Sequence, residues 1–505
     1  MKQLTGLDAT FLYLETPTTF GHVNGLMIFE RPSPDYEPYA AVYAKYASLV
    51  GEVEPLRRRL VEVPFGLDHP YWVFDPAFEL DFHVRELHLA RPGLVDQLAE
   101  QVCRLVARPM DRTRPLWEVY VIDGLHDGRW ALLTKYHHAT VDGASGQLML
   151  KIVTDTEPDA PAPGPGPSWE PEPLPSSLEL LRLTMGHLVR NPFRAMRTQA
   201  RIVGQLADTA GIHGLSSAAG RAGDAVKWMA KLGGGERPNI SLPTTAAPPT
   251  PWNKTITGHR RFAMRTASLD NVKRLKQATG GTVNDIVMAI CAGGLREYLL
   301  AHDALPDRPL RAMVPVSIRT GDEADPWTNR VSAIVAELPT DCDDPLERVA
   351  RCRDAMQRAK RTHDLVPAAE LVDLTRYSTP VLATAAVRLA SRLRLADRVA
   401  LPFNVVISNV PGTRQPVYFA GAKLCHQFPV SIVTDGQGLN ITVVSYLDRL
   451  DFGFIADREL VPDVWDLADM HIAEITRLFE ASGAEWAEPP RQPAPRRGPV
   501  TTPST

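Results

Sequence analysis

Two stretches of the chain alternate between apolar runs of strand length and apolar positions at helical spacing. In the first stretch, strands are predicted at residues 26–30, 119–122 and 130–136, and helices at 39–50 and 93–107. In the second, strands are predicted at 331–338, 405–408 and 440–446, and helices at 268–277 and 282–301. The pattern predicts an α/β (α+β) protein made of two comparable halves with a cleft between them.

Stretches rich in proline and glycine separate these halves. Residues 158–175 contain eight prolines in eighteen positions, which is typical of an extended, semi-rigid linker. A second break at 233–251 begins with three consecutive glycines, and residues 488–505 are rich in Pro, Arg and Thr. The predicted division is therefore 1–157, a linker and connector at 158–251, a second domain at 252–487, and a disordered tail at 488–505.

The connector between residues 176 and 232 is basic and amphipathic. It carries eight Lys or Arg against three acidic residues, with a broken apolar face. Such a helix can lie in the headgroup layer of a membrane, with its apolar face inserted. A solvated helical connector packed on the two domains explains the same pattern, and the sequence leaves both interpretations open.

Composition excludes several other classes of protein. Hydrophobic residues make up 44% of the 505 positions and charged residues 23%, which is ordinary globular usage. Lys plus Arg (55) nearly balances Asp plus Glu (59), so net charge gives no support to nucleic-acid binding. Five scattered cysteines without a CxxC pair argue against a disulfide framework or a cysteine metal site. Neither a transmembrane span nor a signal peptide is predicted, so we expect a cytoplasmic protein.

The most informative motif follows the predicted strand at 130–136. It contains His137, His138, Asp142 and Gly143 in the pattern His-His-x-x-x-Asp-Gly. Adjacent residues leaving a strand point to opposite sides, so one imidazole can face a cleft while the other packs inward. A histidine with a pKa near 6.5 suits general-base catalysis at neutral pH. Two structural histidines, or less plausibly a metal site, would also explain the pair on spacing alone.

The motif resembles the active-site signature of the CoA-dependent acyltransferase superfamily, and further segments narrow the resemblance. The chain is similar to bacterial wax ester synthase/diacylglycerol acyltransferases of the actinobacterial type. The similar segments, in the expected order from about residue 5 to 480, are 7–19 (LDATFLYLETPTT), 22–25 (HVNG), 114–118 (RPLWE), 283–286 (VNDI), 314–319 (VPVSIR), 329–330 (NR), 408–412 (SNVPG) and 445–446 (SY).

The resemblance implies two chloramphenicol-acetyltransferase-like domains with an active-site tunnel at their interface. It implies that His138 is a general base that deprotonates a lipid hydroxyl, which then attacks the thioester of a long-chain acyl-CoA. His137, Asp142 and Gly143 would organise the catalytic loop, with an ion pair favoured for Asp142. No metal or cofactor is implied, because acyl-CoA is a substrate. The expected acceptors are diacylglycerol, giving triacylglycerol, and long-chain alcohols, giving wax esters.

The same resemblance suggests site-shaping residues, each with a structural alternative. Pro115, Leu116 and Trp117 either pack or line the acyl channel. Asn284 and Asp285 begin the helix at 282–301, where Thr-x-x-Asp predicts a capping box ahead of a direct role. Ser408 and Asn409 end a predicted strand and are candidates for contacts to the pantetheine or acyl group; these seven residues complete the candidate site.

Location and two alternative functions complete the expectations. Peripheral association with the inner face of the plasma membrane or with lipid droplets is expected, since no spanning segment is predicted. A same-fold acyltransferase acting on a polyketide or sugar hydroxyl is one alternative. A weakly catalytic lipid-binding protein of the droplet surface is another.

Overall fold

The computed structural model of the protein describes residues 1–141, 143–161, 164, 166–190, 246–317, 327, 331–364, 380–399 and 401–487. The predicted tail at 488–505 and residues 191–245 of the predicted connector lie outside these ranges. None of the helices in the described ranges is both long and apolar enough to cross a bilayer.

Fifteen strands are described, and three sheets contain them. They are β1 (Lys2–Gln3), β2 (His22–Phe29), β3 (Arg58–Val61), β4 (Tyr71–Phe74), β5 (Val84–His88), β6 (Trp117–Asp123), β7 (Trp130–His137), β8 (Arg260–Ser268), β9 (Leu310–Ser317), β10 (Val331–Leu338), β11 (Val405–Val410), β12 (Tyr418–Phe419), β13 (Ala422–Val430), β14 (Leu439–Tyr446) and β15 (Arg449–Asp457).

Twelve α-helices accompany the strands in the described ranges. They are α1 (Gly6–Tyr13), α2 (Pro38–Leu49), α3 (Glu54–Arg57), α4 (Leu80–His83), α5 (Val95–Val106), α6 (Gly143–Val153), α7 (Ser177–Arg190), α8 (Leu269–Thr279), α9 (Val283–Ala301), α10 (Pro345–Asp364), α11 (Pro380–Arg392) and α12 (Val464–Ser482). Short 3₁₀ turns lie at Pro64–Gly66 and Leu395–Asp397. The ten helices and strands predicted from apolar spacing are confirmed, with ends that differ by at most four residues.

Two six-stranded sheets form the body of the protein. The first sheet has the order β12-β13-β2-β7-β6-β5, and the second has the order β10-β9-β11-β14-β15-β8. A three-stranded sheet, β1-β4-β3, lies beside the first. In the first sheet β2 runs antiparallel to β7, with His22 directly opposite His137. The start of β2 and the end of β7 therefore meet at one edge, where the histidine pair lies.

The boundary predicted near residue 252 does not separate the two sheets completely. Strands β12 and β13 belong to the later half of the chain but complete the first sheet, where β13 pairs with β2. The fully buried Asp451 of β15 accepts hydrogen bonds from Thr266 Oγ1 (2.6 Å) and from the Gln427 backbone N–H (2.8 Å). These bonds tie the crossing strand to the second sheet, so the two halves are interlocked.

Apolar packing joins the two sheets as well. Helix α5 lies between them, and its buried side chains share one cluster with Leu26 and Ile28 of the first sheet and with Phe262, Met264 and Ile455 of the second. Burial of apolar surface is favourable by roughly 25 cal/mol per Å². The interface between the sheets is therefore part of the hydrophobic core, and the edge that bears the histidines is held rigidly.

The proline-rich segment lies against the first half of the chain. Its described residues form no regular helix or strand before α7 begins at Ser177. Trp169 packs edge-on against Phe74 and Phe78, with ring centroids 6.4 and 6.0 Å away. Glu172 accepts hydrogen bonds from the Met1 amino group (2.8 Å) and the Phe74 backbone N–H (3.1 Å). The extended segment thus has fixed anchor points and leads α7 to the protein surface.

Candidate active site

The chain turns sharply where β7 ends, and the turn sends the two adjacent histidines in different directions. The His137 carbonyl accepts the Thr140 N–H (2.8 Å), and His137 Nδ1 accepts the Ala139 N–H (3.0 Å). The His137 side chain is 1% exposed, whereas His138 is half-buried. This arrangement matches the expectation that one imidazole packs inward while its neighbour stays accessible.

A carboxylate that is itself paired with a guanidinium holds His137. Because Nδ1 of His137 accepts a hydrogen bond, the ring proton lies on Nε2, which is 3.3 Å from Glu15 Oε1. Glu15 Oε1 also accepts the Gly21 N–H (2.8 Å), and Glu15 Oε2 accepts from Arg112 Nη2 (2.6 Å). Arg112, Glu15 and His137 therefore form a continuous chain of polar contacts that fixes the histidine tautomer.

The charge of Glu15 is maintained despite its burial. Burial by itself favours the neutral carboxyl, but the hydrogen bond from His137, together with Arg112 and the Gly21 N–H, outweighs it. The pKa of Glu15 consequently lies far below its ordinary value of 4.5. A carboxylate at this position favours the imidazole orientation in which Nε2–H points toward it.

Helix α1 places an aromatic ring against His138. The Phe11 and His138 rings are stacked with centroids 3.9 Å apart and an interplanar angle of 8°. Thr5 caps the start of this helix by accepting the Asp8 N–H (3.1 Å), which satisfies one of the free donors of its first turn. The His138 N–H donates to the Gly21 carbonyl (2.8 Å). The imidazole plane is thus set by Phe11 and its backbone by Gly21.

Gly21 is required by the close approach of these groups. A Cβ atom at this position would lie 2.6 Å from His137 Nε2 and 2.9 Å from the Phe11 carbonyl. Both distances are shorter than van der Waals contact, so any side chain here would displace the buried histidine or helix α1. The glycine lets the segment before β2 pass between the two elements that carry the site.

Of the two remaining residues of the motif, the structure describes one. Gly143 is the first residue of α6. Asp142 lies outside the described residues, so its predicted ion pair stays a prediction.

Pro115, Leu116 and Trp117 are buried beside the histidine pair. Trp117 donates from Nε1 to the Leu56 carbonyl (2.8 Å) and stacks on Tyr46 and His83. The Leu116 carbonyl accepts the His137 N–H (3.0 Å). These contacts show that Leu116 and Trp117 have packing roles beside the end of β7. A role for the three residues in lining an acyl channel stays a prediction.

The candidates in the second half of the chain form a group of their own. Asp285 accepts hydrogen bonds from the Thr282 N–H and hydroxyl (both 2.8 Å), closing the predicted capping box at the start of α9. Asn409 Nδ2 donates to Asn284 Oδ1 (3.3 Å), and Ser408 is half-buried beside Asn409 at the end of β11. In the part of the chain described, no hydrogen bond joins this asparagine pair to His137.

Four contributors to the site went unassigned in the sequence: Phe11, Glu15, Gly21 and Arg112. Phe11 and Glu15 lie within the segment 7–19, which is one of the segments similar to the family. The sequence therefore points to this segment but assigns no role to either residue. Glu15 is 122 residues from His137, and Arg112 is 97 residues from Glu15. No local pattern connects groups at such separations.

Two cavities flank the segment between α1 and β2 that carries Glu15. The first has a volume of about 640 Å³ and is lined by Thr16, Pro17, Phe20, Arg104, Ala107, Arg108, Pro109, Gly258 and His259; we call it the basic pocket. The second has a volume of about 690 Å³ and lies between α1, residues 62–70 and α11; we call it the α11 groove. Each is large enough to hold part of an extended ligand.

Buried polar groups of the first sheet fix the basic pocket. Lys135 Nζ donates to the carbonyls of Leu105 (3.3 Å) and Arg108 (2.7 Å), and His22 Nε2 donates to the Val106 carbonyl (2.7 Å). Burial, and then the nearby Lys135 charge, hold the pKa of His22 well below 6.5, so His22 is neutral. The last carbonyls of α5 are therefore satisfied where the helix reaches the pocket.

Comparisons with known proteins agree with this architecture. Residues 4–287 match the wax ester synthase/diacylglycerol acyltransferase catalytic domain, and residues 327–478 match the WS/DGAT C-terminal domain. The chain is 35% identical over 477 residues to a Mycobacterium tuberculosis protein named "Probable diacyglycerol O-acyltransferase tgs2", covering 94% of this chain and 98% of that protein. It is 33% identical over 487 residues to "O-acyltransferase WSD" of Acinetobacter baylyi, covering 95% and 97%.

Solved structures show the same fold. A wax ester synthase/diacylglycerol acyltransferase from Marinobacter aquaeolei VT8 matches with a TM-score of 0.67 and 31% identity, covering 96% of this chain and all of that one. The first condensation domain of the calcium-dependent antibiotic synthetase matches with a TM-score of 0.53 at 16% identity, covering 95% and 96%, which shows a shared fold alone. The chain therefore belongs to the wax ester synthase/diacylglycerol acyltransferase family, and it is an O-acyltransferase.

Proposed function

We propose that the protein transfers a long-chain acyl group from acyl-CoA to the free hydroxyl of diacylglycerol, forming triacylglycerol, and that long-chain alcohols serve as second acceptors, forming wax esters. The observation that carries this proposal is the histidine pair. His138 is half-buried and stacked on Phe11, while His137 beside it is held by Glu15. The names of the related proteins supply the two acceptor classes.

In the proposed reaction the His138 imidazole accepts the proton of the lipid hydroxyl as its oxygen bonds to the thioester carbonyl carbon. The tetrahedral intermediate collapses, the carbon–sulfur bond breaks, and the CoA thiolate takes the proton from His138. The base returns to its neutral form after each cycle, and no acyl-enzyme or cofactor is required. General-base assistance of this kind contributes typically 10²–10⁴-fold to a rate.

We assign the basic pocket to the anionic part of acyl-CoA. Arg104 and Arg108 are exposed at its rim and His259 completes its lining. Glu100, an acidic residue on the same helix face, is surrounded by Arg104, Arg261 and Arg458 at 3.5–3.6 Å. Phosphate oxygens bind arginine through strong, charge-assisted hydrogen bonds. The pocket is also lined by Phe20, which precedes Gly21, and the Gly21 carbonyl accepts the His138 N–H.

The activity is tested with purified protein, palmitoyl-CoA and either dipalmitoylglycerol or hexadecanol. Release of CoA is followed with a thiol reagent, and the ester product is quantified by chromatography. We expect CoA release to rise at least about tenfold when either acceptor is added, with one ester formed per CoA released. Release without acceptor dependence would indicate thioester hydrolysis and would contradict the proposal.

Charge reversal in the basic pocket tests the position of CoA. For the variant Arg104→Glu/Arg108→Glu we expect the KM for palmitoyl-CoA to rise about tenfold or more, because a charged hydrogen bond is worth about 1.5–3 kcal/mol. The kcat should stay within about threefold, since lost ground-state binding changes KM first. Arg308→Glu, an exposed arginine outside the pocket, is the matched control. A KM equal to that of the wild type would remove CoA from this pocket.

Peripheral attachment to a lipid surface on the cytoplasmic side is also part of the proposal. The expected acceptors are insoluble in water, so an enzyme without a spanning helix in its described residues meets them at a membrane or droplet boundary. Of the connector at 176–232, the structure describes α7 and Ser176, and the rest of the basic segment lies outside the described residues.

A further inference from the structure

Exposed apolar side chains are concentrated on one part of the protein. Nine of the thirteen large hydrophobic residues exposed in the described ranges lie on or directly beside α1, the turn at Pro64–Gly66, α7 and α11. They are Leu14, Phe65, Leu67, Leu178, Leu183, Met185, Val381, Leu389 and Leu393. The turn contacts both α7 and α11, and α11 contacts α1. We call this continuous surface the apolar face.

Helix α7 buries one side and presents apolar residues on the other. Leu180 is 2% exposed and packs with Val63 and Tyr71, so it attaches the helix to the body of the protein. Leu178 and Met185 are each 58% exposed and are seven residues apart, which places them on one stripe of the helix. That stripe lies away from Leu180, about 150° around the helix axis. The outward side of α7 therefore carries apolar residues that do not pack into the described part of the fold.

The turn at Pro64–Gly66 presents an aromatic ring to solvent under backbone strain. Phe65 is 81% exposed and has a φ angle of +60°, a left-handed conformation that bulky residues rarely adopt. Packing among the described residues gives no reason for a phenylalanine here, and glycine or asparagine would adopt this backbone more easily. Strained positions of this kind persist where function requires them.

Four arginines and three acidic residues lie around the apolar face. Helix α11 contains two arginines, Arg388 and Arg392, and no acidic residue, and Arg182 lies on α7. On the acidic side, Glu179 lies on α7 and Asp68 follows the turn, while Glu62 is paired with Arg112. Aliphatic and aromatic side chains surrounded by arginines are typical of surfaces that insert into anionic lipid headgroups.

The α11 groove connects this face to the candidate active site. Val381, Ala385 and Leu389 of α11 line one wall, and Leu12 and Val63 line the other. Leu12 follows Phe11, whose ring stacks on His138, and Arg112, which also borders the groove, donates to Glu15. The groove therefore begins at the apolar face and ends on the helix that contacts the proposed base.

We infer that the apolar face docks on an anionic lipid surface and that the α11 groove admits the lipid acceptor from that surface toward His138. This inference rests on the proposed function for its acceptor. A second copy of the chain is a less suitable occupant, because the arginines of α11 would face one another across a two-fold axis. Exposed apolar surface on a monomer marks an interaction site, and this charge pattern selects lipid.

The test uses full-length protein and two vesicle compositions, phosphatidylcholine alone and phosphatidylcholine with phosphatidylglycerol. The variant is Phe65→Asn/Leu178→Ser, whose residues lie outside the groove lining; asparagine tolerates the left-handed backbone at position 65. We expect wild-type protein to bind the anionic vesicles more tightly than the neutral ones. We expect the variant to lose at least about tenfold in affinity, because each substitution removes a large apolar side chain whose burial in lipid favours binding. Leu300→Ser, another exposed leucine, is the matched control and should bind as the wild type does.

Activity measured with two acceptors completes the test. The variant should transfer palmitoyl groups to hexanol in solution at the wild-type rate, but to diacylglycerol in anionic vesicles about tenfold more slowly. Unchanged vesicle binding would overturn the inference, as would an equal loss in Leu300→Ser. A change from dimer to monomer in sedimentation, without loss of vesicle binding, would also overturn it. Failure of the proposed function gives a different result: no transfer to either acceptor, with vesicle binding intact.

Discussion

Replacing His138 with alanine is expected to lower the rate of acyl transfer to diacylglycerol by about 10²–10⁴-fold, the contribution of a positioned general base. The fall should appear in kcat, because the imidazole acts on the proton that moves in the transition state. Loss of the stacking with Phe11 should cost about 0.5–1.5 kcal/mol in the free energy of unfolding, which leaves the protein folded at 25 °C. Steady-state kinetics and urea denaturation measure the two effects separately.

His126→Ala provides the control for the loss of an imidazole, because His126 is exposed on the turn before β7. Its rate should equal that of the wild type within about twofold. If His138→Ala keeps more than a tenth of the wild-type kcat while His126→Ala is unchanged, another group removes the proton. The family assignment would survive that result, but the role of His138 would not.

The regular elements could be predicted because each depends on neighbours in the sequence. The strand at 331–338 has the predicted ends, since its apolar residues fall within a single run. The capping box at Thr282 and Asp285 could also be predicted from the sequence, because both partners lie within one helical turn. In both cases the residues that form the sequence pattern are the same residues that stabilise the element.

The sequence did not predict which strands belong to which sheet. Strand β13 pairs with β2 across about four hundred residues. The pairing is fixed by burial of Phe428 and Val430 in the apolar cluster that lies between the two sheets. Nothing in the segment 422–430 indicates which of two sheets it will join. Non-local pairing of this kind depends on tertiary packing, which periodicity does not encode.

The residues of the candidate site also divide into those that a local sequence pattern predicts and those that depend on tertiary packing. The histidine pair could be found in the sequence, because its residues are adjacent and follow one strand. Glu15 and Arg112 could not be assigned, because their roles appear only where α1, the segment before β2 and the loop before β6 meet at one edge of the sheet. For Trp117, the buried hydrogen bond to Leu56 shows a packing role that its motif left open.

Glu15→Gln is expected to reduce kcat by about 10²-fold while the overall fold is retained. Glutamine keeps the shape of the side chain but removes the charge that Arg112 and the His137 Nε2–H both contact. His137 then loses the partner that fixes its tautomer, and the turn carrying His138 shifts; displacements of about 1 Å in an active site cost about 10²-fold. The KM for acyl-CoA should change by less than about threefold, since Glu15 is not part of the basic pocket.

Stability and its pH dependence separate this positioning role from a general loss of structure. Removing the charge should lower the free energy of unfolding at pH 7 by about 1.5–3 kcal/mol, the value of a hydrogen bond to a charged group. The pKa of Glu15 is lowered in the folded protein, so its contribution is fully present above its ordinary pKa of 4.5 and is lost as the pH falls toward the folded value. Urea denaturation should therefore show a constant difference between wild type and variant from pH 6 to 8, and a smaller one below about pH 4.5.

Glu62→Gln is the matched stability control for this experiment, because Glu62 also pairs with Arg112 (3.0 Å) but its side chain is 61% exposed. Its effect on the free energy of unfolding should stay below about 1 kcal/mol, as for other exposed ion pairs. Equal losses in the two variants would mean that Arg112 alone stabilises this edge of the sheet. A pH-independent difference for Glu15→Gln would mean that Glu15 is not held as a carboxylate. Either result would leave the orientation of His137 to the Ala139 N–H, and would place the control of the catalytic loop in the turn itself.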